Sequence, residues 1–263
     1  KRNKNYGSIV DIRAKNLPKI DIFTYSFPCT DLSTIGNQAG LEIGTRSGLL
    51  WEVKRVLSEL KLLKRLPKYL LMENVKNLFS SNHVDGWNIF ASFLESLGYK
   101  NSIMVLNAKE FGIPQNRERA FCISELNGTD EIIVEAKNSS VNIHDFLDLN
   151  NDSLIEEYKE VLPKNTASRV KWISKSKHLN NMSHCMTITT KQDRWPNAGI
   201  LFCDVNGKLI DNNNDWNINK DKACYRFLTP REQLLLMGFE SNSYDKLKNI
   251  GMPKTKIQLM AGN

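Results

Sequence analysis

The chain has 263 residues, a formal net charge of +7 and 41% hydrophobic residues. This length allows one large domain plus a smaller one, and the basic balance agrees with a nucleic-acid partner, although many basic proteins bind none. No apolar run reaches the roughly 18 residues of a membrane helix and no signal peptide is seen, so we expect no membrane span.

Cysteine and histidine usage gives no sign of a metal site. The sequence has 5 cysteines and 4 histidines, without a C-x-x-C pair or a cysteine–histidine pair at zinc spacing. We therefore predict no bound metal. An odd number of cysteines without a disulfide framework fits a reducing cytoplasm.

Residues 1 to 125 alternate predicted strands and helices. The apolar runs 20–25 and 69–72 are typical of buried strands, and their continuous apolar character suits a sheet covered on both faces. Two apolar stripes at helical spacing follow these strands and are interpreted as core. The first stripe consists of Leu50, Val53, Val56, Leu57, Leu60 and Leu63, and the second of Trp87, Ile89, Phe90, Phe93, Leu94 and Leu97, closed by Gly98. This pattern predicts an α/β fold with a doubly wound sheet that binds ligands at the carboxyl ends of its strands.

The amino-acid composition and its periodicity change at about residue 126. Asparagine and lysine become frequent, helical periodicity weakens, and short β-like runs stand at 186–190 and 199–202. We predict a smaller, mainly β and irregular domain over residues 126–222. The large domain resumes over 223–263, where Thr229 to Glu232 form a capping box that starts a helix ending at Gly238.

Three short signatures stand at the ends of predicted strands. Pro28 and Cys29 follow the first strand, Glu73 and Asn74 follow the second, and the run 115–119 precedes a third. A glutamate also suits a helix start, and arginines in the third signature also suit a solvated basic face. The coincidence of all three favours a functional site.

Cys29 is the candidate nucleophile among the cysteines. The turn formers Asp31 and Ser33 follow it, whereas Cys122 and Cys203 lie in apolar runs typical of the core. A lone Pro-Cys is more often part of a packed core, so only these surroundings argue for a reactive thiolate.

In this order, the signatures resemble motifs IV, VI and VIII of the cytosine-5 DNA methyltransferases. Further segments resemble other motifs of that family along nearly the whole chain, apart from the stretch between Ser124 and Lys222. These segments are residues 10–12 for motif III, 45–52 for motif V, 226–232 with 237–239 for motif IX, and 261–263 for the start of motif X. The resemblance implies a Rossmann-like methyltransferase sheet, with the smaller domain serving as the target-recognition domain.

The resemblance also implies a covalent mechanism. Cys29 would add to carbon 6 of cytosine so that carbon 5 can attack a methyl group. Glu73 would supply a proton or hydrogen bond at ring nitrogen 3, and Asn74 would position the loop that carries Cys29. Arg119, with Arg117 in support, would donate hydrogen bonds to the base carbonyl or to nearby phosphates. The base that removes the carbon-5 proton is not identified by the sequence.

The target base would have to be flipped out of the duplex. The family uses a mobile loop after the cysteine, and the glycine-containing residues 33–44 occupy that position, although an ordinary surface loop would have the same composition. Thr187-Ile188-Thr189 resembles the family's Thr-Leu-Thr signature. The predicted DNA-binding residues are Gln115, Thr187, Thr189, Lys191, Gln192, Arg194, Asn197 and Ser33. Without the resemblance, residues 191–197 would be interpreted as a hairpin turn with solvated charges.

S-adenosylmethionine is the implied methyl donor. Asp11 and Ile12 resemble the motif that meets its adenine, Pro28 the residue beside the transferred methyl, and Leu49 the motif V contact. Thr30 stands where the family usually has glutamine. The Phe-x-Gly-x-Gly loop of motif I and the end of motif X are not found. We therefore expect a fragment, either of a longer chain or of an enzyme split between subunits, with negligible cofactor binding by these residues alone.

The predicted function is a sequence-specific DNA cytosine-5 methyltransferase of a restriction-modification system. The expected partner is double-stranded DNA, and the expected location is the cytoplasm of a bacterium, or of a host if the gene is carried by a phage. The complete enzyme is expected to be a monomer whose cognate endonuclease makes no direct contact with it. The alternatives are the tRNA-directed branch, whose Cys-Phe-Thr signature is not found, and a catalytically dead DNA-binding fragment.

Overall fold

The computed structural model of the protein describes most of the chain. The described residues are 5–27, 49–81, 83–137, 141–147, 151–163, 166, 176–192, 195–210 and 224–262. They form two compact units, the first from residues 1–106 and 118–135 and the second from 107–117 and 136–263. The functional domains proposed from the sequence stay a prediction, because compact units are defined by packing and not by function.

The described chain contains eight strands and six α-helices. The strands are β1 (Ile22–Tyr25), β2 (Tyr69–Val75), β3 (Tyr99–Asn107), β4 (Gln115–Asn116), β5 (Glu118–Leu126), β6 (Cys185–Met186), β7 (Leu201–Cys203) and β8 (Cys224–Arg226). The α-helices are α1 (Leu50–Leu62), α2 (Val84–Ser96), α3 (Ile155–Lys159), α4 (Pro230–Leu236), α5 (Ser243–Asn249) and α6 (Lys254–Gly262). Among the described residues, none of these helices is both long and apolar enough to span a bilayer.

A mixed four-stranded sheet organises the first unit, in the order β1-β2-β5-β3. Strands β1 and β2 are parallel, with a register that runs from Ile22 opposite Tyr69 to Tyr25 opposite Met72. Strand β5 is antiparallel to β2, and its Arg119 lies opposite Val75. The predicted α/β class is therefore confirmed, with one parallel pair, β1 and β2, and an antiparallel partner, β5, in the same sheet.

The two predicted helical stripes supply about half of the buried core of the first unit, and the strands supply much of the rest. From α1 it takes Leu50, Val53, Val56, Leu57 and Leu60, and from α2 it takes Trp87, Phe90 and Leu94. The core assignment is wrong for two residues of the predicted stripes. Leu63 is 42% exposed because it lies beyond the end of α1, and Ile89 is 58% exposed. Ile89 follows Trp87 by two positions, about 200° around the helix, so it faces away from the core.

Strand β2 is covered more on one face than on the other. Leu70, Met72 and Asn74 are buried, whereas the alternate positions, Glu73 among them, are half-buried. This alternation differs from the expected strand covered on both faces. It leaves the face that carries Glu73 accessible.

The second unit is mainly irregular, as expected for residues after 126. Its strands form two short pairs, β4 with β6 and β7 with β8. The predicted β-like run 186–190 is strand only at its first residue, because side chains take the next backbone partners. The Thr187 hydroxyl donates to the Asn116 carbonyl at 2.9 Å, and the Ile188 amide donates to the Gln115 side chain at 3.1 Å.

Helix α4 begins as the sequence predicts. The Thr229 hydroxyl accepts the Glu232 amide, the Glu232 carboxylate accepts the Thr229 amide, and Pro230 is the first helical residue. Glu232 also binds the fully buried Arg226 through two hydrogen bonds of 2.7 and 2.8 Å. The Arg226 guanidinium lies 4.4 Å from the ring centre of Tyr158 and donates to the Gly207 carbonyl. One carboxylate thus caps a helix and neutralises a buried cation.

We expect Glu232→Ala to lower the free energy of unfolding by about 3–5 kcal/mol, because it leaves the Arg226 charge buried without its partner. Urea unfolding measures this loss. The control is Glu240→Ala, which removes an exposed carboxylate paired with Lys246 and should cost less than about 1 kcal/mol. Equal small losses in both variants would show that the buried pair does not hold this unit together.

Candidate active site

The parallel pairing of β1 and β2 brings two sequence signatures to one edge of the sheet. The register ends with Tyr25 opposite Met72. The next residues, Ser26 and Phe27 on one side and Glu73 and Asn74 on the other, therefore leave the paired region together. The chain continues from Phe27 directly into Pro28 and Cys29.

Asn74 ties the end of β1 to β2. Its side chain is 2% exposed, and its amide nitrogen donates to the Phe27 carbonyl at 3.1 Å. Its amide oxygen accepts the Val75 backbone amide at 2.9 Å. Phe27 is itself buried in the core of the first unit. The backbone just before Pro28 is therefore fixed, which agrees with the positioning role predicted for Asn74.

Glu73 and Arg119 form an ion pair across the ladder of β2 and β5. Arg119 lies opposite Val75, two positions from Glu73, so the two side chains are diagonal neighbours on one face. The Arg119 Nε is 3.2 Å from Glu73 Oε1, and their side chains are 19% and 40% exposed. Arg119 also donates from one terminal nitrogen to the Glu118 carbonyl at 2.7 Å. The arginine is thus held in place while the carboxylate keeps access to solvent.

The Glu73 carboxylate has a second side-chain partner, which was not among the predicted site residues. The Ser26 hydroxyl donates to Glu73 Oε2 at 3.2 Å. The only signal in the sequence was its position, directly before Phe27-Pro28-Cys29. Sequence spacing gives no reason to pair Ser26 with Glu73, because the contact follows from the register of two strands.

Arg117 belongs to the second unit, although it is two residues from Arg119. One of its terminal nitrogens donates to the Ile188 carbonyl at 3.3 Å. Its backbone amide donates to the Asn107 side chain at 3.1 Å. The structure therefore joins Arg117 to the segment that holds the predicted Thr187 and Thr189.

Gln115 is fully buried in the second unit. Its amide nitrogen donates to the Leu236 carbonyl at 2.9 Å, and its amide oxygen accepts the Ile188 amide at 3.1 Å. A direct contact with DNA would require this side chain to leave both partners. In this conformation Gln115 acts as a structural link between β4, residue 188 and the end of α4.

The other predicted DNA-binding residues differ in exposure. Lys191 and Asn197 are exposed, and Thr187 and Thr189 are half-buried. Asn197 donates to the Thr187 carbonyl at 2.8 Å and so closes the segment between them. Gln192 is fully buried and accepts the Ala198 amide at 3.2 Å, so it supports the segment from inside.

Three predicted cofactor residues lie in the first unit. Asp11 is exposed at the end of a 3-10 turn, Ile12 is half-buried against the core, and Leu49 is half-buried just before α1. Arg55 of α1 donates to the Ile9 carbonyl at 2.9 Å, which ties the Asp11 turn to this helix. Asp11 therefore offers an exposed acceptor close to apolar side chains.

Several predicted site residues lie outside the described residues. They are Pro28, Cys29, Ser33 and Arg194, together with the loop 33–44. The prediction of no metal also stays a prediction. Within the described ranges, no group of three or more His, Cys, Asp or Glu residues could hold a metal ion.

Three of the other cysteines are buried, which confirms the core assignment of Cys122 and Cys203 and extends it to Cys185. Burial raises the pKa of the Cys122 thiol to about 11 and that of Cys185 to about 12. Neither thiol therefore forms a thiolate readily near neutral pH.

Comparison with known proteins decides the family. The sequence profile of the C-5 cytosine-specific DNA methylases matches residues 1–263. The chain belongs to the C-5 cytosine-specific DNA methylase family. It is similar to the type II methyltransferase M2.ScrFI of Lactococcus lactis subsp. cremoris, with 40% identity over 100% of this chain and 68% of that protein. It is also 51% identical to the orphan methyltransferase M.SssI of Spiroplasma monobiae, over 48% of this chain and 34% of that protein.

Solved structures of methyltransferases share this methylase's fold. The crystal structure of the S. pombe Dnmt2 methyltransferase matches with a TM-score of 0.67 and 21% identity, covering 98% of this chain and 76% of that one. The Entamoeba histolytica methyltransferase EhMeth matches with a TM-score of 0.68 and 18% identity, covering 100% and 78%. These matches confirm the predicted Rossmann-like methyltransferase fold.

We expect alkylation of the native methylase at pH 8 to leave Cys122, Cys185 and Cys203 unmodified. A thiol with a pKa of about 11 is ionised to roughly one part in a thousand at that pH, and burial also blocks the reagent. Raising the pH toward the pKa of Cys122 should increase its ionised fraction. Mass spectrometry after iodoacetamide treatment measures the modification, with urea-unfolded protein as the control. Modification of these thiols in the native protein at the unfolded rate would contradict the assignment.

Proposed function

We propose that this methylase transfers a methyl group from S-adenosylmethionine to carbon 5 of a cytosine flipped out of double-stranded DNA, through a covalent bond to Cys29. Family membership supports the reaction class. One observation carries the detailed proposal. The Glu73 carboxylate is held by Ser26 and Arg119 at the edge of the sheet where the chain passes into Pro28 and Cys29.

Cys29 makes carbon 5 nucleophilic. Its sulfur forms a bond to carbon 6 of the ring, and the displaced electrons move toward nitrogen 3 and carbon 5. S-adenosylmethionine, when bound by Asp11, Ile12, Pro28 and Leu49, supplies the electrophilic methyl group. Once carbon 5 carries the methyl group, a base removes the carbon-5 proton and the bond from sulfur to carbon 6 breaks as the double bond between carbons 5 and 6 re-forms. The proton on nitrogen 3 returns to Glu73, and the thiolate is restored.

Glu73 neutralises the negative charge that the addition of Cys29 creates on the cytosine ring. A proton held by its carboxyl group at ring nitrogen 3 neutralises the electron density that Cys29 pushes into the ring. The half-exposed side chain supports this role, because the carboxylate has a fixed partner on each oxygen and still faces solvent. Arg119 restrains one oxygen of the carboxylate, which lowers the cost of placing it against the base.

Recognition of DNA is assigned to the second unit. Lys191 and Asn197 are exposed for phosphate or base contacts, and Arg117 supports the backbone between Thr187 and Thr189. The buried Gln115 and Gln192 act as supports of this segment, so they influence DNA contacts through it. The net charge of +7 agrees with a polyanionic partner.

A restriction-modification system is the proposed setting. M2.ScrFI and M.NgoBV of Neisseria gonorrhoeae are both named type II methyltransferases. Other relatives are orphan methyltransferases of Bacillus phages. This distribution supports a bacterial or phage enzyme. The monomeric state, the cytoplasmic location and a cognate endonuclease without direct contact are proposed from the sequence alone.

We expect Cys29→Ser in the full-length protein to lower methyl transfer by about a thousandfold or more, because the covalent step is lost. Transfer of labelled methyl groups to DNA measures this. DNA that contains 5-fluorocytosine should trap the wild-type protein, since fluorine cannot leave carbon 5 as a proton does. Cys122→Ala, which changes a buried thiol, should still be trapped. An active protein that gives no adduct would rule out the covalent step.

We expect Glu73→Gln to lower the single-turnover methylation rate by roughly 100- to 10,000-fold, the range of a lost general acid, with little change in DNA affinity. Rapid-quench measurements and DNA titration separate the two quantities. Glu125→Gln is the matched control, because Glu125 lies at the opposite end of the same ladder, where its carboxylate accepts the Tyr69 hydroxyl at 2.9 Å. Similar losses in both variants would point to a general weakening of the sheet.

A further inference from the structure

Ser26 occupies a position that no predicted role explains. It directly follows β1, is exposed, and directs its hydroxyl to Glu73, 47 positions along the chain, at 3.2 Å from Oε2. Turn-forming serines usually bond to the nearby backbone. The hydroxyl of Ser26 instead binds the carboxylate to which we assign proton transfer.

The two partners of Glu73 differ in what they can donate and accept. Arg119 carries only donors, so Oε1, which it faces at 3.2 Å, remains an acceptor. A proton on this carboxyl group therefore resides on Oε2. The Ser26 hydroxyl donates to a lone pair of Oε2, and that oxygen can accept this bond whether or not it carries a proton, so the proton itself can face the base.

We propose that Ser26 is a positioning residue that holds the Glu73 carboxyl group in the orientation needed for proton exchange with the cytosine ring. This inference rests on the proposed function of Glu73. The contact of Arg119 at Oε1 restrains the carboxyl group at one oxygen but still lets it rock about its last side-chain bond. The second contact at Oε2 removes that freedom and directs the proton-carrying oxygen.

The exposed position of Ser26 allows a positioning role to be distinguished experimentally from a role in stabilising the fold. The hydroxyl is exposed and binds a half-exposed partner, so its removal leaves no buried polar atom without a bond. The fold should therefore tolerate its loss. The effect is expected in the rate of the step that uses Glu73 and not in the stability of the sheet.

The test uses the full-length protein and single-turnover methylation of a DNA duplex. Ser26→Ala should lower the rate roughly 10- to 100-fold, the range for a hydrogen bond to a charged group, with DNA affinity and the unfolding midpoint unchanged. Ser26→Thr, which keeps the hydroxyl, should restore most of the rate. Ser96→Ala removes another exposed hydroxyl, bonded to the Phe93 carbonyl, and should have no effect.

A double-mutant cycle decides whether Ser26 acts through Glu73. In the Glu73→Gln background, Ser26→Ala should cause little further loss. An equal loss in both backgrounds would overturn the proposal, and so would a Ser26→Ala variant with the wild-type rate. A wild-type protein that does not methylate cytosine at all would instead overturn the proposed function and the role of Ser26 with it.

Discussion

The parallel pairing of β1 with β2 is the constraint on which the candidate active site depends. Its register places Ser26 and Phe27 beside Glu73 and Asn74, so that the chain leading to Cys29 starts next to the carboxylate. Alternation along β2 turns Asn74 toward the core and Glu73 toward the open face. A slip of one residue would exchange these two environments, burying the carboxylate and exposing the amide.

The first unit uses the same pair of residue types differently from the second. Arg226 and Glu232 are buried and share two hydrogen bonds, and Glu232 also caps a helix. The hydrogen-bonding capacity of this carboxylate is therefore used within the fold. Arg119 and Glu73 share one close contact and remain partly exposed. A carboxylate offers about four acceptor positions, so the contacts from Arg119 and Ser26 leave room for a base. Residual hydrogen-bonding capacity, more than charge, distinguishes the pair proposed to take part in catalysis from the structural pair.

Local patterns predicted local structure well and long-range contacts poorly. The stripes of α1 and α2 and the capping box at Thr229 depend on residues within one or two turns, so the sequence displays them. Burial of Gln115 depends on Leu236, far along the chain, and the Ser26 contact depends on strand register. For the same reason the motifs pointed to Glu73, Asn74 and Arg119 as candidate site residues, while the contacts of Glu73 with Arg119 and Ser26 became visible only in the fold.

The two arginines of the run 115–119 lie in different units and make different contacts. Arg119 lies in the first unit and acts on the Glu73 side chain, whereas Arg117 lies in the second and donates to the Ile188 backbone. Because strand β5 begins at Glu118, this change of unit falls between the two arginines. Their similar chemistry therefore conceals different functions. Arg119 supports the proposed proton transfer directly, and Arg117 shapes the segment that carries Thr187 and Thr189. A short motif that crosses from one unit to the other therefore carries both proposed roles, one at the base and one at the DNA-recognition segment, on a single stretch of backbone.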